Sequence, residues 1–263
     1  PNYLSSIEFD TNQLRLTNDI NIAVKDADYL IFAIPSAFLH DELEKLTESL
    51  DGKLIFSAIK GIIPESGLIV GEHFQQKYNI PLENIGVITG PCHAEEVALE
   101  RLSYLTIACS NKDNAMILAE KLTSHYIKCK TTDDIIGTEY AAVLKNIYSV
   151  AAGIAHGLGY GDNFQAVLMS NAIREMKKFI KKVYKMKRNI NDSAYLGDLL
   201  VTGYSVFSRN RTFGSMVGKG YTVKSAQMEM RMVAEGYYAA QSAYIMNQEI
   251  KAKTPIIDTV YNI

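Results

Sequence analysis

Tyr29-Leu30-Ile31-Phe32-Ala33-Ile34-Pro35-Ser36 compresses a strand, its stop and the start of a helix into one short stretch. An unbroken aromatic and β-branched run suits a strand covered on both faces. Pro35 has no N–H to give a ladder and ends it, and Ser36 stands where a hydroxyl caps a helix predicted to run to about residue 50. The same alternation continues outward. Strands are predicted at 53–59, 85–89, 104–109 and 126–130, and helices at 68–78, 93–100 and 113–124, with a break at Gly90-Pro91. After Asp133 the strands stop and long helical patterns take over, at 134–156, 163–184, 192–203 and 224–246. Gly153, Gly157, Gly159 and Gly161 read as the end of one helix and the turn into the next.

The expected fold class is therefore α/β plus all-α. A partial Rossmann-like parallel sheet domain, residues 1–135, is followed by an all-helical substrate domain, residues 136–263. With 263 residues, 48% of them hydrophobic, the chain can bury a real core. A net charge of −2 supplies no field that would draw nucleic acid, and no run is apolar and long enough for membrane insertion. Cys92, Cys109 and Cys129 are odd in number and lack metal spacing, which predicts reduced thiols, no metal site and a cytoplasmic setting. The chain opens at Pro1 without an initiator methionine and ends at Ile263 without a polar tail, so a fragment is expected.

The chemistry centres on Lys145, the one formally charged residue between Tyr140 and Gly161. An ammonium on an apolar helix is expensive unless something needs it there. Lys60 follows a predicted strand, at the edge of an open α/β sheet where ligands bind. Two lysines facing one site lower each other's proton affinity, so one of them can accept a proton near neutral pH, as oxidation of an alcohol requires. Asp198 is read either as a helix cap or as the carboxylate that orients the base. In Ser208-Arg209-Asn210-Arg211 an arginine fork and neutral donors suit a phosphate, against the plainer reading of a surface turn.

The lysines and arginines between Arg174 and Arg188 alternate with Met176, Phe179, Ile180 and Val183 at helical spacing, which predicts a solvated face, not a nucleic-acid site. His93 and His156 have no partner spacing and are not read as metal ligands.

Taken in order, several pieces resemble the bacterial-type NAD(P)-dependent sn-glycerol-3-phosphate dehydrogenases. They are Ala33-Ile34-Pro35-Ser36, Ser57-Ala58-Ile59-Lys60-Gly61, Thr89-Gly90-Pro91 with Ala94-Glu95-Glu96, and Leu144-Lys145-Asn146, followed by Leu196-Gly197-Asp198-Leu199, Ser208-Arg209-Asn210 with Phe213-Gly214, and Val233-Ala234-Glu235-Gly236-Tyr237. The resemblance implies interconversion of glycerol 3-phosphate and dihydroxyacetone phosphate with NAD or NADP, a reaction that feeds glycerophospholipid synthesis. It makes Lys145 the proton acceptor, with Lys60 and Asp198 completing the catalytic set. Substrate would meet Lys60, Gly90, Cys92, Lys145, Asp198, Thr202, Ser208, Arg209 and Asn210. Cofactor would meet Pro35, Phe38, Lys60, Ala94, Arg209, Val233 and Glu235.

Two departures stand out. Cys92 occupies a position where the family more often carries Ser or Thr, and no G-x-G-x-x-G fingerprint for a pyrophosphate occurs. The expectation is a chain that starts partway through its nucleotide-binding domain and stops before the family's last helix is complete. Rival readings are a related two-domain dehydrogenase acting on tartronate semialdehyde, 6-phosphogluconate or ketopantoate, and an inactive binding module. The partner is expected to be a small phosphorylated molecule, and a homodimer through the helical domain is part of the expectation.

Overall fold

The computed structural model describes residues 4, 7–230 and 234–263. Strand β1 (Tyr29–Phe32) lies parallel to β2 (Leu54–Ser57), and β2 parallel to β3 (Ile85–Thr89). The sheet is not parallel throughout. Strand β4 (Ser103–Cys109) runs antiparallel to β3, and β5 (Ile127–Thr132) parallel to β4, in the order β1-β2-β3-β4-β5. The link from β3 to β4 holds only the 5-residue helix α4 (Ala94–Ala98), too short to carry the chain back along the sheet, so the chain reverses.

Ahead of β1 stands a helix that the periodicity does not signal, α1 (Ile20–Lys25), capped by Asp19. Helices α2 (Ser36–Glu44), α3 (Val70–Tyr78) and α5 (Lys112–Leu122) cover the sheet. On β2, Ile55 joins Leu39, Leu43, Val70 and Phe74 in one apolar cluster, and Phe56 joins Ile107, Ala115 and Leu118 in another. Neighbouring residues of a strand face opposite sides, so one strand feeds both cores. Ser36 is the first residue of α2 and not its cap: Pro35 holds the cap position without a side-chain bond. The helix also stops at Glu44, short of 50, because the Asn21 side-chain carbonyl accepts from the amides of Thr47 and Glu48 and pulls that segment out of helix.

Beyond β5 every regular element among the described residues is helical. Helix α6 (Ile135–Gly157), capped by Asp134, is buried on nearly all sides. Around it stand α7 (Asp162–Val183), α8 (Asp198–Tyr204), α9 (Arg209–Gly218), α10 (Val223–Glu229), α11 (Glu235–Ile250) and α12 (Pro255–Tyr261). A π-helical turn, Ser193–Gly197, runs into α8. The helix predicted at 224–246 is thus two helices, α10 and α11. Gly153 lies inside α6, Gly157 is its last residue as expected, and Gly159, with φ +85°, makes a left-handed turn after it. A Cβ on Gly153 would stand 2.1 Å from the Arg211 carbonyl oxygen, so α9 crosses α6 at backbone distance. The basic residues of α7, including Lys177, Lys178, Lys181 and Lys182, are exposed as expected.

Two buried carboxylates tie elements together. Glu139 on α6 accepts from the Gly71 amide in the first turn of α3, at 3.2 and 3.1 Å. Glu175 on α7 accepts from the amides of Ile256 and Ile257 at 3.0 and 3.1 Å, capping α12 where its own sequence offers no side-chain cap. Among the described residues no helix is long and apolar enough to cross a membrane, and no cluster of His, Cys, Asp and Glu suits a metal ion.

Candidate active site

Lys145 occupies the middle of α6 and is 4% exposed. Its ammonium donates to Oδ1 of Asp198, which is itself 1% exposed in the first turn of α8. The cap of α8 is Gly197, so Asp198 is free of capping duty and turns to the lysine. The Thr89 hydroxyl, at the end of β3, lies 3.5 Å from the other oxygen of Asp198. Burial drives the Lys145 pKa down from the usual lysine value to about 8; Asp198 opposes the shift and Lys60 adds to it. Burial alone would raise Asp198, but the charges of Lys145 and Lys60 outweigh it and hold the carboxyl below its ordinary value.

Lys60 follows β2 at the carboxyl edge of the parallel strands, and its backbone carbonyl accepts from the Asn146 amide at 3.3 Å. Lys60 and Lys145 line one cavity of about 260 Å³, together with Cys92, Ala94, Thr202, Ser208, Arg209, Asn210 and Glu235. One wall is the N-terminus of α9. Ser208 caps that helix by accepting from the Arg211 amide at 3.3 Å, and shares a 2.8 Å hydrogen bond with Ser149. Asn210 accepts from the Gly236 amide at 2.9 Å through its side-chain oxygen, which leaves its NH₂ as a donor. Arg209 is exposed and has no ion-pair partner among the described residues. A guanidinium, an amide donor and a helix N-terminus together form an anion clamp.

Most residues anticipated from sequence therefore meet at one place. Gly90 takes part through its backbone: it has φ +117°, and its backbone helps lower the Asp198 pKa. Asp198 sits behind Lys145, not on the cavity wall. The Cys92 thiol is pushed up by burial, with Lys60 pulling the other way, so it stands at the cavity as a neutral, weak donor. Val233 lies outside the described residues.

Sequence reasoning did not assign Asn146, His93 or Phe207 to the site, yet all three line it. The His93 Nδ1 lies 3.3 Å from the Ser205 hydroxyl, and burial with the Lys145 charge lowers its pKa, keeping the imidazole neutral at pH 7. Adjacency to Lys145 was the only signal for Asn146, and His93 offered none.

A second cavity of about 400 Å³ adjoins the first through Glu235, which lines both. Pro35, Phe38, Gly61, Ile62 and Tyr238 give it flat apolar walls. A Cβ on Gly61 would stand 2.2 Å from the Ser36 hydroxyl, so the two loops close on each other without room for a larger residue. An apolar slot beside a buried lysine fits a nicotinamide ring. A roomier cavity of about 590 Å³ between α6, α7 and α12 is lined by Leu158, Phe164, Leu168 and Val260 and holds neither Lys145 nor the anion clamp.

Helices that bring a buried lysine to the edge of a Rossmann-like sheet, beside an apolar slot, give the layout of a pyridine-nucleotide dehydrogenase. The fold is similar to that of D-mandelate dehydrogenase, solved with NADH, over 89% of this chain and 76% of that one at a TM-score of 0.57 and 16% identity. Within that class the chain belongs to the NAD-dependent glycerol-3-phosphate dehydrogenase family, whose N-terminal model matches residues 1–115 and whose C-terminal model matches residues 134–263. A relative named glycerol-3-phosphate dehydrogenase [NAD(P)+] from Streptococcus sanguinis is 32% identical over 99% of this chain and 77% of its own length. One of the same name from Bacillus subtilis is 33% identical over 99% and 76%. The crystal structure of glycerol-3-phosphate dehydrogenase from Coxiella burnetii superimposes with a TM-score of 0.85 at 27% identity, covering 93% of this chain and 74% of that one.

Proposed function

We propose that the chain interconverts sn-glycerol 3-phosphate and dihydroxyacetone phosphate with Lys145 as the proton-transfer group. The observation that carries this reading is the convergence of Lys145 and the Arg209–Asn210 clamp on one cavity of about 260 Å³. In this reading Arg209, Asn210, Ser208 and the N-terminus of α9 hold the phosphate, and Lys60 and Thr202 flank the three-carbon body. Phosphate binding then orients carbon 2 toward Lys145 and contributes binding energy remote from the reacting atom. During oxidation the neutral amine of Lys145 takes the hydroxyl proton as the hydride leaves carbon 2, and the new ammonium rests against Asp198. During reduction the same ammonium returns the proton to the carbonyl oxygen. NAD or NADP supplies the hydride acceptor or donor when bound. Pro35, Phe38 and Glu235 would hold its nicotinamide end, with Ala94, Arg209 and Lys60 beside them.

Dihydroxyacetone phosphate reduction followed by loss of NADH or NADPH absorbance tests the assignment. Lys145→Ala is expected to lower kcat by roughly 10²–10⁴-fold, the usual contribution of a proton-transfer group. Arg209→Ala is expected to raise KM by about 10-fold or more, as loss of a charge-assisted phosphate bond implies. An unchanged KM in Arg209→Ala would remove the phosphate clamp from the scheme.

The reading also divides the chain near residue 135, supported by the end of strand–helix alternation at β5. Three free thiols support a cytoplasmic setting. A homodimer through the helical domain is supported by the apolar surface that Leu158, Tyr160, Phe164 and Val167 expose there.

A further inference from the structure

Asp134 lines no part of the substrate cavity, yet it is 2% exposed and fully occupied by donors. It accepts from the Gly137 amide at 3.0 Å, from Nε and Nη2 of Arg188 at 2.6 and 3.0 Å, and from the Tyr195 hydroxyl at 2.5 Å. Burial would raise its pKa, but Arg188 and Tyr195 outweigh burial and keep the carboxylate charged. An ion pair this deep, with its bonds complete, is costly to break by removing one partner.

The elements it joins give it significance. Through Gly137 the carboxylate caps α6, the helix that carries Lys145 three turns further on. Through Tyr195 it grips the π-helical turn Ser193–Gly197, which leads directly into Asp198. A π turn is wider than an α turn and re-aims the residues that follow it. The other side of this turn packs at Pro91, where a Cβ on Gly197 would stand 3.7 Å from the proline ring. The turn is thus held between the Gly90-Pro91 bend and Asp134, and its register decides where Asp198 points.

We propose that Asp134 is a positioning residue: its bond to Tyr195 locks the π turn against α6 and thereby holds Asp198 on Lys145. The inference rests on Lys145 being the proton-transfer group. It carries a signature that a scaffolding role lacks. The titratable groups that face the Lys145 amine or share its cavity are Asp198 from α8, Lys60 from the loop after β2, Cys92 and His93 ahead of α4, Glu95 in α4, Arg209 at the start of α9 and Glu235 from α11. Asp198 is the partner whose hydrogen bond raises the proton affinity of Lys145, against burial and Lys60. If the π turn slackens and Asp198 withdraws, Lys145 loses its proton at lower pH.

The experiment is the pH dependence of kcat and KM for glycerol 3-phosphate oxidation, with melting temperatures, in the unaltered enzyme and in Tyr195→Phe, Arg188→Gln and Lys145→Ala. Tyr195→Phe keeps the ring and deletes the one hydroxyl bond. It is expected to lower plateau kcat by about 10-fold, as small misplacements of a catalytic group do. Its acid limb is expected to move to lower pH by about half a unit or more, with KM changed by less than about twofold. Arg188→Gln keeps the Tyr195 bond and is expected to lower the melting temperature while leaving the limb in place. Wild-type kcat and an unmoved limb in Tyr195→Phe, whatever its melting temperature, would overturn the inference. Should Tyr195→Phe fail to fold, Asp134→Asn, whose one remaining oxygen can serve Gly137 while an NH₂ replaces the oxygen that accepts from Tyr195, is expected to move the limb in the same direction, and an unmoved limb there overturns it equally. A limb that persists in Lys145→Ala would overturn the assignment of the base itself, a result separable from failure of the clamp.

Discussion

At Lys145 opposing forces meet on one nitrogen. Burial and Lys60 favour the neutral amine, Asp198 favours the ammonium, and the balance falls at about 8. In the proposed scheme the two directions of the reaction need opposite forms of Lys145. Oxidation requires the neutral amine, so its kcat is expected to rise through about pH 8, whereas reduction requires the ammonium and is expected to fall across the same range. Rates of NADH or NADPH formation and loss between pH 6 and 10 check both limbs. Lys145 and Asp198 were legible in sequence because charges are rare in apolar helices, and Lys60 because it follows a strand at the edge of the sheet. Thr89, His93 and Asn146 break no such pattern. Their roles arise from tertiary approach, Thr89 reaching Asp198 across 109 positions of chain, and local sequence carries no record of that.

Among the elements, the crossing of α6 and α9 is the tightest joint. Gly153 faces the Arg211 carbonyl and Gly214 faces the Val150 carbonyl, each with a Cβ position 2.1 Å away, so backbone meets backbone from both sides. Alanine is the better helix former by about 1 kcal/mol, but the opposing atoms are main chain and cannot swing aside. Gly153→Ala is expected to destabilise the fold by about 1–3 kcal/mol net, the usual cost of overpacking, measured by urea unfolding. The strands were legible as continuous apolar runs, and Ile85–Thr89 forms as anticipated. Strand direction was not, because a hydrophobic pattern reads the same in a parallel or an antiparallel pair. Helices α9 and α12 also escaped. The first opens on Arg209-Asn210-Arg211-Thr212, which looks like a loop until it packs, and the second depends on the Glu175 carboxylate from α7 for its cap.

Across the whole molecule, α6 is the member that everything else leans on. Its Glu139 reaches the first turn of α3 and fastens the helices to the sheet. Burial raises that carboxyl from 4.5 to about 8, so folding takes up a proton between those values. The folded pKa lies above the unfolded one, so this group's stabilisation is complete below about 4.5 and declines as pH rises toward 8, by up to about 1.4 kcal/mol per unit. Melting temperature measured from pH 5 to 8 is expected to fall less steeply in Glu139→Gln than in the unaltered protein, and equal slopes would refute the link. The end of strand–helix alternation near residue 135 was readable, but nothing in sequence said that one helix would touch both the strands and the helices that follow them. Because α6 serves both, its history during synthesis is unusual. It leaves the ribosome long before its cover: α12, which packs on it, ends at Tyr261, about a hundred residues after Gly157. At the usual ~5–20 residues per second, a 23-residue apolar rod waits roughly 5–20 seconds for the partners that will hide it. The segment that anchors the finished fold is therefore, while the chain is being made, an apolar surface left partly uncovered for seconds, and a natural hold for a chaperone.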